Sequence, residues 1–222
     1  MKIAGFQKSS FVDFPGIIAC VVFTPGCNMN CSFCHNRHII SGNVPLVDEL
    51  SVMDYLNKRK GMVKGVVISG GEPTLQPDLV DFIARVRGMG YKIKLDTNGT
   101  NCEVVKSLCE KGYIDYIAMD IKANTQKYSL VSGCRIDTDK ILETVEYIKK
   151  SGIPHEFRTT FCPDLTMEDV VEISDSIVGD SDYYLQQYRE VENCGRPHPR
   201  EYLENTAKRI TEKGGKCIIR GL

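Results

Sequence analysis

The chain has 222 residues, 42% hydrophobic and 26% charged, with 28 basic side chains against 29 acidic ones. That composition suits one substantial globular core, and a formal net charge of −1 excludes a nucleic-acid binder that works by bulk positive charge. Ten cysteines beside no tryptophan are too sparse for a disulfide scaffold in a chain of this length, so they need another explanation. The first residues hold no apolar run long enough for a signal peptide. The longest apolar stretch, Ile17–Phe23, has seven residues, where a bilayer span needs roughly 20. A cytoplasmic chain with no membrane and no nucleic-acid partner is expected. Thiols stay reduced there, and clustered cysteines serve as metal ligands more readily than as disulfides.

In chain order, β-rich runs alternate with segments of helical period. A strand is predicted over Ile18–Thr24, a helix over Val47–Arg59, a strand over Gly65–Ser69 and a helix over Pro77–Val86, with Pro77 suited to a first turn. Strand Lys92–Asp96, helix Cys102–Glu110, strand Tyr116–Lys122 and helix Asp137–Lys150 follow. Strand His155–Phe161, helix Met167–Ile177, strand Tyr183–Tyr188 and helix Arg200–Lys213 come next, and a seventh β run, Lys216–Arg220, closes the chain. Gly112, Gly152, Gly179 and Gly214 stand where helices should stop. Near-continuous apolar strands such as Val66-Val67-Ile68 are those of a parallel sheet buried on both faces. About six βα units give α/β architecture. A partial (β/α)6 barrel fits the length better than a complete eightfold one, with a doubly wound sheet as the alternative. In either case the loops after parallel strands converge on one face and carry the chemistry.

Three cysteines are clustered. Cys27, Cys31 and Cys34 form C-NMN-C-SF-C, directly after the first predicted strand and a Pro25-Gly26 turn. A loop this short brings three thiolates to one small metal centre. A cubane iron–sulfur cluster normally takes four cysteines, so three would leave one iron open to a ligand. A structural zinc site with His35 or His38 as fourth ligand is the plainer alternative, and simple buried cysteines are a third. The other seven, Cys20, Cys102, Cys109, Cys134, Cys162, Cys194 and Cys217, have no C-x2-C pairing and read as small buried hydrophobes.

Polar residues gather at the later strand ends. Ser69-Gly70-Gly71-Glu72-Pro73 runs off the second predicted strand, where it is either a simple turn or a close backbone approach to a ligand beside a carboxylate. Asp96-Thr97-Asn98-Gly99 ends the third and is a good helix-entry sequence, with Asn101 a possible cap. Asp120 and Lys122 end the fourth on a shared face, and such charges are costly unless paired or bound to a ligand. Arg158 interrupts an apolar fifth strand, as a snorkelling surface residue or as a site residue. Asp13 in Val-Asp-Phe-Pro-Gly reads locally as a turn former. Residues 190–199, around Cys194, read as an ordinary loop or as a docking lid.

C-x3-C-x2-C after a first strand resembles the signature of radical S-adenosylmethionine (SAM) enzymes. The longer stretch from Val12-Asp13-x-Pro15-Gly16 to Cys34-His35-Asn36 resembles the glycyl-radical-enzyme activating subgroup, with Ile18 departing where many activators carry a basic residue. The resemblance implies a partial (β/α)6 barrel of the radical SAM type, open on one side, over a single domain spanning residues 1–222. Only 37 residues separate Cys34 from Glu72, which leaves no room there for the auxiliary-cluster insertion of many activators.

The resemblance further implies a [4Fe-4S] cluster on Cys27, Cys31 and Cys34, and SAM held by Gly70, Gly71, Glu72 and Lys122, with Phe33 against adenine. Arg158 would face the site and Tyr188 would replace a histidine near the SAM ribose. Asp96, Thr97, Asp120 and the Ala118 carbonyl would hold a monovalent cation (Na+ or K+) beside SAM. Asp13 would anchor the partner's glycine loop. The implied reaction is reductive cleavage of SAM to a 5′-deoxyadenosyl radical, which abstracts hydrogen from a glycine of a glycyl radical enzyme. A flavodoxin or ferredoxin-type protein would donate the electron. Among the short forms the chain most resembles the activating protein of anaerobic ribonucleoside-triphosphate reductase, with pyruvate formate-lyase activator next. The competing readings are a small-molecule enzyme like 7-carboxy-7-deazaguanine synthase and a zinc or electron-carrier module without SAM chemistry. The four histidines, His35, His38, His155 and His198, lie in no spacing that suggests a general acid–base pair or a nucleophile triad.

Overall fold

The computed structural model describes residues 1–190 and 195–222. Its eight strands are β1 (Gly5–Ser10), β2 (Ala19–Thr24), β3 (Gly65–Gly70), β4 (Lys92–Thr97), β5 (Tyr116–Asp120), β6 (His155–Phe161), β7 (Tyr183–Gln187) and β8 (Cys217–Arg220). They lie side by side in chain order within one sheet. β2 to β8 are parallel, and β1 pairs antiparallel with β2. The sheet is not closed by hydrogen bonds, so β1 and β8 remain its two edges. This is the open-sided barrel expected of the six βα units, with β8 as one more parallel strand. β1 was not expected, because GFQKSS lacks both an apolar run and a strict alternation. Pairing with β2, a distant contact, makes it a strand.

The helices are α1 (Arg37–Ile40), α2 (Glu49–Lys58), α3 (Leu79–Gly88), α4 (Cys102–Glu110), α5 (Tyr128–Ser132), α6 (Thr138–Lys150), α7 (Met167–Ile173, continued by a π turn over Ser174–Val178) and α8 (Arg200–Glu212). Their starts follow local chemistry. Asp48 caps α2 by accepting from the Ser51 amide at 3.0 Å, and Thr166 with Asp169 forms a capping box on α7. Asn101 precedes α4 but makes no side-chain cap, donating instead to the Thr74 carbonyl at 3.1 Å. The predicted stops Gly112, Gly152, Gly179 and Gly214 all adopt positive φ, which L side chains resist.

Strand alternation divides the sheet into two faces. Cys20, Val22, Val66, Ile68, Ile93, Leu95, Ile117, Met119, Phe157, Tyr183 and Leu185 belong to the large core shared with the helices, where each large apolar side chain contributes ~1.5–3 kcal/mol. The opposite face looks into the barrel. On β2 and β3 it is apolar, with Ala19, Val21 and Val67 packed around Phe14, which is buried. On β4 to β8 it carries Lys94, Asp96, Asp120, Glu156, Arg158, Thr160, Gln186 and Arg220, with Ala118 and Ile218 among them. Cys20, Cys102 and Cys162 are buried, as expected, whereas Cys109, Cys134 and Cys217 are only partly covered; Cys194 lies outside the described residues. The nine described cysteines are free thiols. Among the described residues no helix is long and apolar enough to cross a membrane.

Candidate active site

One cavity lies at the carboxyl ends of the parallel strands. It is lined by Cys27, Cys31, Phe33 and Cys34 from the loop after β2, and by Gly70, Gly71 and Glu72 after β3. Asp96 and Thr97 of β4, Asp120 and Lys122 at the end of β5 and Arg158 of β6 complete it. Residues scattered through the chain meet here because successive parallel strands bring their ends to one side.

The cysteine loop is held by backbone. Gly26 and Cys27 amides donate to the Ile39 and Ile40 carbonyls at 2.8 and 3.1 Å, and the Asn30 amide donates to Ser132 at 2.8 Å. The Arg37 guanidinium donates to the Cys31 carbonyl at 3.2 Å. The β3 end presses directly on this loop: the Gly71 amide donates to the Thr24 carbonyl at 2.9 Å and the Glu72 amide to the Gly26 carbonyl at 2.8 Å. A Cβ on Gly71 would stand 1.9 Å from the Gly26 oxygen, and one on Gly70, at φ +120°, would stand 2.3 Å from the Thr24 nitrogen. The paired glycines therefore let two backbones touch beside the thiols.

Glu72 is buried. Its Oε1 accepts from the Thr74 amide at 3.1 Å, the Thr74 hydroxyl at 2.6 Å and the Thr97 hydroxyl at 2.8 Å, and its Oε2 accepts from the Asn98 amide at 2.7 Å. Burial pushes its carboxyl pKa up, with the four hydrogen bonds opposing. Oε1 is saturated, so Oε2 keeps the remaining acceptor capacity. Burial also raises the Cys27 thiol to about 11, against the Met29 amide, and raises Cys31. Iron binding must displace these protons.

The charged wall is tightly paired. Arg158 Nε donates to Asp120 Oδ1 at 2.8 Å, while Lys122 Nζ donates to Asp120 Oδ2 at 3.1 Å. Burial alone would raise the Asp120 carboxyl, but Arg158 and Lys122 outweigh it and hold it well below the usual carboxylate range. At Asp96 the charges of Lys94 and Arg158 likewise overcome burial.

Three expected residues, Tyr188, Asp13 and Ala118, are not among those lining the cavity. Tyr188 is buried in the large core and is not among the residues lining the cavity. β7 ends at Gln187, and beyond that point strand alternation no longer directs a side chain inward. Gln186, on the inward face, lines the cavity instead. Asp13 lies before β2, about 20 Å by strand length from the cysteine loop, and accepts from the Ser10 hydroxyl. Ala118 is fully buried opposite Asp96. Ser69, Thr160, Gln186 and Asn98 also line the cavity. The first three share the inward parity of Asp96 and Arg158, a period-two signal present in the sequence. Asn36, next to His35, donates to the Gly70 carbonyl at 3.1 Å.

Cys27, Cys31 and Cys34 line one cavity, a three-thiol donor set that suits a cubane cluster. Among the described residues no three His, Cys, Asp or Glu side chains are arranged to hold one metal ion. Tetrahedral zinc needs ligand sulfurs about 3.8 Å apart, as its bond length requires, whereas a cubane spreads its cysteines over separate irons.

Residues 21–177 match the family model of the radical SAM superfamily. A protein of Methanocaldococcus jannaschii named as a glycyl-radical enzyme activating enzyme is 36% identical over 195 residues, covering 84% of this chain and 79% of the relative. A pyruvate formate-lyase-activating enzyme of Streptococcus mutans is 30% identical, covering 79% of this chain and 73% of the relative. Among solved structures, a domain of pyruvate-formate lyase-activating enzyme from Bacteroides vulgatus superposes with a TM-score of 0.58 at 20% identity, over 71% of this chain and 99% of that one. Streptococcus suis SuiB superposes with a TM-score of 0.69 at 17% identity, over 90% of this chain, which spans about half (49%) of SuiB. At these identities the superpositions speak for the fold alone. With the family match extending from β2 into α7 and the three thiols opening onto the same cavity as the Gly-Gly-Glu turn, the chain belongs to the radical SAM superfamily and is a radical SAM oxidoreductase.

Proposed function

We propose that this protein activates a glycyl radical enzyme, and that its partner is anaerobic ribonucleoside-triphosphate reductase. The observation that carries the activase reading is the joint placement of Cys27, Cys31, Cys34, Glu72, Lys122 and Arg158 on one cavity in a chain whose relatives bear activase names. A [4Fe-4S] cluster held by Cys27, Cys31 and Cys34, with SAM beside it, would supply the radical chemistry needed for hydrogen abstraction from a glycine Cα of the partner.

The protein's residues bind and orient. Cys27, Cys31 and Cys34 would hold the cluster. The Gly70–Glu72 turn and Glu72 Oε2 would accept from the SAM ammonium, Lys122 would pair with its carboxylate, and Phe33 would pack against the adenine. Arg158 fixes Asp120 and so orients Lys122. Gln186 takes the ribose-side position expected of Tyr188. Asp13, beside Phe14 at the far end of β2, receives the partner's glycine loop along the open side of the sheet. An open side suits a substrate carried on another protein. The 222 residues act as one radical SAM domain in the cytoplasm, supplied with electrons by a flavodoxin or ferredoxin-type donor. The monovalent cation at Asp96, Thr97, Asp120 and Ala118 meets a poor fit, because protein cations already engage both carboxylates.

The test is to reduce the reconstituted protein, add SAM with each candidate partner, and record EPR spectra. A glycyl radical on the reductase is expected. A radical on pyruvate formate-lyase alone moves the assignment to that partner, and turnover of a small metabolite without any partner protein overturns the activase reading.

A further inference from the structure

Lys94 is a buried ammonium inside the barrel. It lies two residues before Asp96 on β4 and therefore on the same inward face, and its Nζ donates to Asp96 Oδ1. The Lys94 side chain is 3% exposed, so its charge is held in place by partners rather than by water. The other Asp96 oxygen accepts from the Ser69 hydroxyl at 3.0 Å, and Arg158 Nη1 stands 3.6 Å from Oδ1.

The Thr97 and Asp120 oxygens of the expected cation site are also engaged. The Thr97 hydroxyl donates to Glu72 at 2.8 Å and accepts from the Gly99 amide at 3.1 Å. Both Asp120 oxygens receive protein cations, Arg158 and Lys122. Three cations, Lys94, Lys122 and Arg158, thus face three carboxylates, Asp96, Asp120 and, 3.9 Å from Arg158, Glu156. The charge of this wall is already balanced by the protein's own side chains before SAM arrives. A free Na+ or K+ entering here would find the Asp96 and Asp120 oxygens engaged by three fixed cations, where the two carboxylates alone would have attracted it.

We propose that the Lys94 ammonium replaces the alkali-metal cation, so that this protein binds SAM without Na+ or K+. An ammonium carries the same single charge and offers three donors to oxygen ligands. Because it is tethered to β4, its occupancy does not depend on the salt around the protein. The consequence is a SAM site indifferent to the identity of the monovalent ion. This rests on reading the cavity as a SAM site.

The experiment uses the cluster-loaded protein without any partner. SAM affinity is measured by calorimetry in KCl, NaCl and tetramethylammonium chloride at equal ionic strength, so that general screening is constant. The wild-type affinity is expected to stay within about twofold across the three salts, the scatter that context allows for one weak contact. The 23Na NMR line width is expected to show no SAM-dependent ion binding. In Lys94→Met, which leaves Asp96 of the cavity wall without its charge-assisted Lys94 contact, affinity should fall about tenfold in tetramethylammonium and return on adding KCl.

A wild-type affinity that collapses when K+ is withdrawn overturns the proposal. So does a Lys94→Met protein that binds SAM as tightly as wild type without K+, or one whose loss neither Na+ nor K+ restores. The wild-type salt series decides the matter even if the variant does not fold. Failure to bind SAM in any salt overturns the SAM reading itself. Failure to generate a glycyl radical bears only on the partner.

Discussion

Arg220 grips Glu156 through two parallel hydrogen bonds, Nη1 to Oε1 at 2.8 Å and Nη2 to Oε2 at 2.9 Å. Glu156 is 1% exposed, and Tyr116 also donates to its Oε2 at 3.1 Å. The Arg220 guanidinium lies 3.5 Å from the centre of the Tyr184 ring. One buried carboxylate thus ties β5, β6 and β8 together, with the β7 ring stacked beneath, deeper in the barrel than the cavity wall.

Removing only Arg220 leaves that carboxylate short of its main partner. Arg220→Met should destabilise the fold by about 2 kcal/mol, below the 3–5 expected for a fully buried pair because the Arg220 side chain is 35% exposed. Glu156→Gln combined with Arg220→Met should cost less than Arg220→Met alone. Urea midpoints measure both, and a double variant less stable than the single one would refute the pairing argument.

Gly71 bears on the cysteine loop. Its missing Cβ would sit 1.9 Å from the Gly26 oxygen, directly before Cys27, so Gly71→Ala must displace the loop. Iron and sulfide per chain after reconstitution should fall. Gly88→Ala, where a Cβ meets nothing, should load as wild type does. Equal loading of both variants would mean that the backbone contact does not set the thiols.

Asp120 carries a pH signature. Its folded pKa lies below the unfolded value of about 3.9, so the unfolded chain binds more protons in that window and stability rises with pH through it. The contribution is complete above about pH 5 and disappears as pH falls through the folded pKa. Asp120→Asn should therefore be less stable than wild type at pH 7, with the gap narrowing steadily below pH ~4. A gap that stays constant across that range would contradict the depressed carboxyl.

Much of the site was legible in local sequence. Cys27, Cys31 and Cys34 share a short loop, so their convergence needs no tertiary information. Gly70-Gly71-Glu72, Asp96, Asp120 and Arg158 follow strand patterns and share the cavity, as parallel strands require. Tyr188 lies one residue past the end of β7, where the alternation that turns Gln186 inward no longer applies, and its ring is buried in the core. β1 was missed because an edge strand of polar residues has no pattern of its own.

By itself the sequence determined the α/β alternation, the strand-end location of the chemistry and the three-thiol loop, since these follow from periodicity and from distances of a few residues. Only the tertiary structure decided who pairs with whom. Glu72 is occupied by Thr74, Thr97 and Asn98, Lys94 reaches Asp96, and Glu156 meets Arg220 across two strands. The Glu72–Asn98 and Glu156–Arg220 partners lie 26 and 64 residues apart. A buried charge takes whatever counter-charge the fold brings within reach, and that choice is made by strand register, which no local stretch of sequence contains.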